Sequence, residues 1–440
     1  MLGKLAAGIS KVEITPSKKI YLTGYILRDR PCEGIHDHLY AKAVVLKDLD
    51  TEDAAAVISA DLLGFSKESV DRIRNEASQK TGIEPRNMII ACTHTHSAPA
   101  TVNLRKVGVV DVNYLKNVEE KIVYIILDAY KNLQEAKISA GRSVVRGIGY
   151  NREKRGGPVD EELGVIRIDN KKDEILALLL NYACHPVVLG PRNLLVSADY
   201  PGAVARLIEE ATGSCCIYTT GADGDIDPVT NLKKWGEGTF RDVEEIGKII
   251  GLQALKVSEK LKGSSNVKLK SLSKTLRLPV KSPPTLKEAE KNLERNRKEL
   301  VKLKSAGVEN TKIRIAEAIF EWSKEVLKRI KDGTFPSEMP VEITMIGIND
   351  VLLVGVPGEL FVEIGLKVKK ASPFTYTYII GYGNGELGYF PTAEAIKRGG
   401  YASRTAPKYF GVTFLKPEAG DILENEIINM THQIYEMMEC

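Results

Sequence analysis

Residues 54–96 read AAAVISADLLGFSKESVDRIRNEASQKTGIEPRNMIIACTHTH, and three patterns succeed one another in them. Residues 54–65 and 87–96 are short apolar runs of strand character. Between them 66–82 carries helical periodicity, with Ser66 placed to cap its start and Gly82 to end it. Working outward, 41–49 reads as another strand, 112–133 as a long amphipathic helix, and 173–186 as a buried strand. This alternation predicts an α/β fold with a mixed sheet.

Composition narrows the classes. The chain has 440 residues, 43% hydrophobic and 27% charged, with a net charge of +4. That profile is globular, and no Lys/Arg run is interleaved with aromatics, so nucleic acid is not an expected partner. No stretch approaches the roughly 18 apolar residues of a membrane span. Residues 1–16 break into a strand-like pattern and are not read as a signal peptide. Cys32, Cys92, Cys184, Cys215, Cys216 and Cys440 show no C-x-x-C spacing. Free thiols and a cytoplasmic location are expected, with a single disulfide left open.

Residues 282–333 differ from what surrounds them. Leu286, Ala289, Leu293, Leu300 and Leu303 fall on a heptad seam with Asn296 in the missing slot, and Thr285 with Glu288 forms a capping box. A second helix carries Ala316, Ile319, Phe320, Leu327 and Ile330 and stops at Gly333. The expectation is a helical hairpin inserted into one domain spanning 1–440. A pair packed on the core surface is the preferred reading; a lid or a homodimer arm is the other. After it, 339–361 reads as two strands joined at 348–350, 374–392 as a strand and loop, and 424–438 as a helix.

Five of the six histidines lie in three short segments: His36 and His38, His94 and His96, and His185. Read as a strand, 87–96 puts His94 and His96 on one face, where two neutral imidazoles can converge on a metal. His185 closes an apolar run, a usual place for functional groups. The plainer readings are polar surface for the pair and a core histidine bonded to backbone for His185. Asp223, Asp225 and Asp227 crowd the Gly-rich turn GADGDIDP, where turn chemistry alone also accounts for them. Glu359 follows another apolar run. Asp61 and Asp199 read as weaker candidates that helix capping explains, and His432 reads as surface.

Eight stretches, AGISKVEITP, GIHDHLYAKAVVL, THTHSAPA, YACHPVV, VSADYPG, GADGDIDP, VGVPGELF and NGELGYFPT, occur in this order from about residue 6 toward residue 405. Together they resemble the catalytic domain of the neutral/alkaline, non-lysosomal ceramidases, zinc amidases that cleave the N-acyl bond of ceramide. The resemblance implies a Zn2+ held by His94, His185, Glu359 and Tyr389. It implies active-site roles for His96, for Tyr401 at an oxyanion, and for Arg152 near the substrate carbonyl. It also places the segment around His36 near the pocket.

The family's G-D-V-S-P-N motif carries the proposed serine nucleophile, but here the run is GDIDPV and Asp227 stands in the serine position. A carboxylate acceptor would form a mixed anhydride, so the expected mechanism is attack by a zinc-activated water. Asp227, or less favoured His96, takes the proton, and Tyr401 and Arg152 steady the oxyanion. The resemblance ends near residue 405, so the sandwich domain that follows in the ceramidases is not expected here, and 151–162 lacks a longer segment. The expected function is therefore a zinc-dependent hydrolase of an amide or ester of a lipid-like or smaller acyl compound, with ceramide a candidate but not the favoured one. The alternatives are a non-catalytic metal-binding protein and a two-metal phosphoesterase, the latter distinguished by two metals per chain.

Overall fold

The computed structural model describes residues 3–232 and 236–439. Its organising feature is a large mixed sheet in the order Cys215–Thr220, Ile175–Tyr182, Glu162–Asn170, Gln134–Val144, Gly3–Glu13, Tyr40–Asp48, Ala54–Ala60, Met88–Cys92, with Asn266–Val267 also pairing Gly3–Glu13. A second sheet contains Leu269–Pro279, Glu338–Ile348, Val351–Gly355 and Tyr376–Ile380. The mixed-sheet α/β expectation holds.

The two sheets pack face to face. One buried cluster joins Val57, Ile89 and Ile217 of the large sheet to Ile346, Leu353 and Ile380 of the smaller one. The outer face of the large sheet is covered by Lys67–Thr81 and Val112–Lys131 on one half, and by Asp199–Thr212 and Phe240–Ser258 on the other. Glu418–Glu439 and Val362–Ala371 cover the smaller sheet. The order of layers is helix, sheet, sheet, helix. Where both faces are buried, as in Ala54–Ala60, Met88–Cys92 and Val351–Gly355, the strands read as near-continuous apolar runs rather than alternating ones.

Local chemistry sets the helix ends. Ser66 accepts from the Ser69 N–H, and Gly82 ends that helix at φ 76°, a conformation glycine adopts without a Cβ penalty. Asp111 accepts from the Asn113 and Tyr114 N–H groups at the start of Val112–Lys131. That helix buries Tyr114, Val118, Ile122, Ile125 and Ala129 at helical spacing.

Between the first two strands of the smaller sheet, Leu286–Ser305 and Asn310–Lys331 fold back on one another, with the Thr285 and Glu288 capping box formed. The second helix turns a face with Ala318 onto Leu63, Leu104, Val107 and Tyr409. Arg314 donates to the carbonyls of Ile26 and Lys106 at 2.9 and 2.6 Å, and Asn310 donates to Asp29 at 2.8 Å. Cys32, Cys92, Cys184, Cys215 and Cys216 are free thiols, and Cys440 lies outside the described residues. Among the described residues no helix is long and apolar enough to cross a membrane.

Candidate metal centre and its pocket

Three parallel strand pairs deliver the site. They are Ala54–Ala60 with Met88–Cys92, Ile175–Tyr182 with Cys215–Thr220, and Val351–Gly355 with Tyr376–Ile380. The loops leaving their carboxyl ends carry His94 and His96, His185, Asp223 to Asp227, Glu359 and Tyr389. Crevices outside the carboxyl ends of parallel strands are where open α/β sheets place ligands.

The histidine pair converges, but not as a strand. The strand expected to run through His96 ends at Cys92, and His94 stands at φ 68° with its N–H on the Leu62 carbonyl at 2.9 Å. A left-handed residue reverses the chain and brings the two rings together. His94 Nε2 and His96 Nε2 are 3.1 Å apart, and the His94 and His185 ring centroids are 5.1 Å apart. Arg28, itself buried, secures this loop by donating to the carbonyls of His96 and Thr23, the latter at 2.7 Å.

Each of two imidazoles is oriented from behind. His94 Nδ1–H donates to the Leu63 carbonyl at 2.7 Å, and His185 Nδ1–H to the Asp223 carbonyl at 2.7 Å. That tautomer leaves Nε2 facing the pocket. Burial pushes the pKa of both down to about 3, and that of His96 well below the usual value, so all three rings are neutral.

Glu359 lies beside them with Oε2 3.0 Å from His185 Nε2. The short pairing of Glu359–Leu360 with Tyr389–Phe390 sets Glu359 opposite Tyr389, and the phenol hydrogen-bonds the carboxylate. Likewise Ile226–Pro228 pairs antiparallel with Gly149–Asn151, which delivers Arg152 to Asp227. Arg152 Nη1 donates to Asp227 Oδ1 at 2.9 Å, and Nη2 to the Gly224 carbonyl at 2.9 Å and the Tyr389 hydroxyl at 3.0 Å. Arg152 Nη2 is 3.8 Å from Glu359 Oε2. Tyr401 is half-exposed with its ring centroid 5.9 Å from that of Tyr389.

His94, His96, Arg152, Asp227, Glu359, Tyr389 and Tyr401 line one cavity of about 630 Å³, with His185 behind them. Its other walls are mostly apolar, with Ile26, Leu27, Leu63, Leu104 and Val107 and Ile315 from the helical hairpin, beside Glu153 and Thr405. One end is polar and charged while the rest is greasy, the usual build of a small-molecule site.

Other candidates lie elsewhere or have structural work. Asp225 accepts from Asn151 at 2.7 Å and from the Val362 N–H at 2.8 Å, fastening the aspartate turn to the start of a helix. Asp199 accepts the Leu189 and Tyr200 N–H groups, and Asp61 that of Tyr40. The resemblance places the segment around His36 near the pocket and leaves both imidazoles open; His36 and His38 line a separate charged depression with Asp37, Lys42, Asp61 and Glu209. His36 stacks on Phe240 at 3.6 Å, and His432 is exposed.

Two residues behind the site are not singled out in the sequence, although Glu386 lies within the stretch NGELGYFPT. The buried Glu386 has Oε2 4.0 Å from His94 Nδ1 and takes the Gly388 N–H on Oε1 at 2.8 Å. Burial, with Glu359 and Asp223 nearby, holds its pKa well above the carboxylate range. Tyr382 is the other.

The donor set fits a divalent metal. His94, His96 and His185 offer ligand atoms all within 4.8 Å of one another, and among the described residues this is the one group with such geometry. Neutral imidazoles with their outer nitrogens already hydrogen-bonded are the usual state of metal-binding histidines. His96 Nδ1 is buried without a hydrogen-bond partner. His96 therefore joins the candidate ligands beside His94, His185, Glu359 and Tyr389.

Comparison with known proteins bears on the family and the fold. The family model described as neutral/alkaline non-lysosomal ceramidase, N-terminal, matches residues 5–222. The neutral ceramidase of Pseudomonas aeruginosa is 21% identical over 282 residues, covering 59% of this chain and 42% of that protein. That of Drosophila melanogaster is 25% identical over 227 residues, covering 46% of this chain and 32% of that protein. The chain thus spans well under half the length of these curated relatives. The solved structure of the Pseudomonas aeruginosa enzyme superposes with a TM-score of 0.76 at 18% identity, over 99% of this chain and 75% of that one. A structure described as ceramidase complexed with C2 gives 0.74 at 16% identity, over 99% and 76%. The fold is shared with both.

Proposed function

We propose that this chain, which belongs to the neutral/alkaline non-lysosomal ceramidase family through residues 5–222, is a zinc-dependent hydrolase of N-acyl amide or related ester bonds. The observation that carries the reading is the meeting of three neutral histidines, two of them fully buried, with Glu359 and an Arg152–Asp227 pair at a largely apolar cavity.

His94 and His185, with Glu359, Tyr389 and His96 beside them, would hold the ion. Zinc supplies Lewis acidity toward water and the acyl carbonyl when bound. The chain's own groups supply the rest. Asp227 is held by Arg152 through Oδ1, which leaves Oδ2 to take the proton from the attacking water and return it to the leaving amine. Arg152 and the Tyr401 hydroxyl face the cavity where the carbonyl oxygen gathers charge. The apolar wall excludes water and receives the acyl chain.

The test is a panel of N-acyl amines, N-acyl amino acids, ceramides and esters of graded chain length, scored for acid release with one zinc per chain. Zinc-dependent release from an amide or ester is expected, and no turnover on any of them sinks the reading. A second zinc per chain would instead favour a two-metal phosphoesterase.

The loop that seats His96 offers a sharper check. Gly24 stands at φ 90°, and a Cβ there would lie 2.4 Å from His96 Cγ and 2.6 Å from its Nδ1. Gly24→Ala must displace the imidazole. A shift of order 1 Å is expected to lower turnover about a hundredfold. Steady-state hydrolysis beside a circular dichroism spectrum checks that the loss is local.

A further inference from the structure

The histidines nearest the proposed metal come from different strand pairs, yet one residue touches the support of both. Tyr382, buried, stacks its ring on His94 with centroids 3.8 Å apart and planes 10° from parallel. Its hydroxyl donates to Asp223 Oδ1 at 2.8 Å. Asp223 in turn carries His185. Its carbonyl accepts the His185 Nδ1–H at 2.7 Å, and its Oδ2 lies 3.2 Å from the same nitrogen. The connection therefore runs from His94 through Tyr382 and Asp223 to His185, and every side chain in it is buried.

The backbone is bent to make this contact. Just past the strand Tyr376–Ile380, Tyr382 stands at φ 58° and Asn384 at φ 69°, left-handed positions that residues with bulky side chains rarely adopt. Such outliers persist where the surroundings over-determine them, and they gather at functional sites. Here the surroundings are explicit. Gly383 N–H donates to the Val356 carbonyl at 2.9 Å, and Asn384 exchanges hydrogen bonds of 2.8 Å with both backbone groups of Ile90. Ile90 belongs to the strand that runs into His94.

We infer that Tyr382 is a positioning residue that braces His94 and His185 against each other, so that both Nε2 atoms are aimed at the metal before it arrives. The inference rests on the metal reading above. It assigns Tyr382 no contact with substrate; it acts through two ligands. Outer partners of metal-bound histidines fix ring orientation, and their loss costs roughly 10–100-fold in metal affinity.

The test is zinc affinity of the full chain, measured by competition with a chromophoric chelator, for Tyr382→Phe, Tyr382→Leu and Tyr378→Phe. Tyr378 is the control: it is equally buried, and its hydroxyl donates to the Gly141 carbonyl at 2.9 Å, away from the histidines. Tyr382→Phe keeps the stacked ring and removes only the link to Asp223. It is expected to weaken zinc by about 10–100-fold. Tyr382→Leu should weaken it further, and Tyr378→Phe should leave it unchanged. Asp223→Ala, which deletes the acceptor of the Tyr382 hydroxyl and keeps the backbone carbonyl that holds His185, probes the same link from its other end, with a comparable loss expected, should a Tyr382 variant fold poorly. Parent-like affinity in Tyr382→Phe and Asp223→Ala, or an equal loss in Tyr378→Phe, overturns the brace alone. A parent that binds no zinc overturns the brace and the metal reading together.

Discussion

His185→Ala is expected to strip the metal from the protein and abolish hydrolysis. The side chain is fully buried, and its two nitrogens face Asp223 and Glu359. Removing it deletes a proposed ligand and leaves the Glu359 carboxylate without its 3.0 Å neighbour. Loss of a ligand itself should exceed the roughly 10–100-fold that loss of an outer partner costs in affinity. The orphaned polar groups also destabilise the apo fold, by about 1–3 kcal/mol each. Metal content per chain by elemental analysis is the measurement, with circular dichroism to show that the variant folds. His94→Ala is a second route to the same result. The expected pattern is about one zinc in the parent and none in either variant. Stoichiometric zinc retained by both would remove these histidines from the metal centre.

Why part of this site is legible in the sequence, and part is not, follows from the kind of signal each residue leaves. Helical periodicity and caps are local, so Ser66, Gly82, Thr285 and Glu288 could be read directly and stand in the structure as read. The alternation of elements identified the α/β class. It could not show that two sheets stack, because strands covered on both faces lose the period that would say which face meets what. The histidine pair shows a subtler limit. Strand alternation anticipated that His94 and His96 would converge, and they do, but through a turn at His94 whose φ of 68° no hydrophobic pattern encodes. The segment containing His36 and His38 shows the converse. It belongs to the family's ordered motifs, yet it builds a different depression. Glu386, though inside NGELGYFPT, and Tyr382 take no role from the sequence, since a lone buried carboxylate and a lone tyrosine acquire meaning only from their neighbours in space.

Asp227→Asn is expected to lower kcat by about 10²–10⁴-fold, the usual contribution of a general base, with zinc content and KM close to the parent's. The substitution is nearly isosteric, and an amide oxygen can still accept the Arg152 Nη1–H that Asp227 Oδ1 accepts at 2.9 Å. What it removes is the acceptor for a proton. If Asp227 merely anchored Arg152, the amide would preserve much of that function and turnover would fall only modestly. Arg152 keeps the Gly224 carbonyl and the Tyr389 hydroxyl as partners in either case, so the guanidinium stays in place and the comparison isolates the carboxylate. Asp227→Ser adds a second axis, because it restores the hydroxyl that the resemblance to the ceramidases leads one to expect at this position. With a carboxylate base in charge, Asp227→Ser is as slow as Asp227→Asn. Turnover regained in the serine variant, together with a burst of acid release from a covalent intermediate, would mean that this pocket still supports the nucleophilic route. Full turnover in Asp227→Asn with zinc bound would take the base role from Asp227 and leave His96 as the remaining candidate.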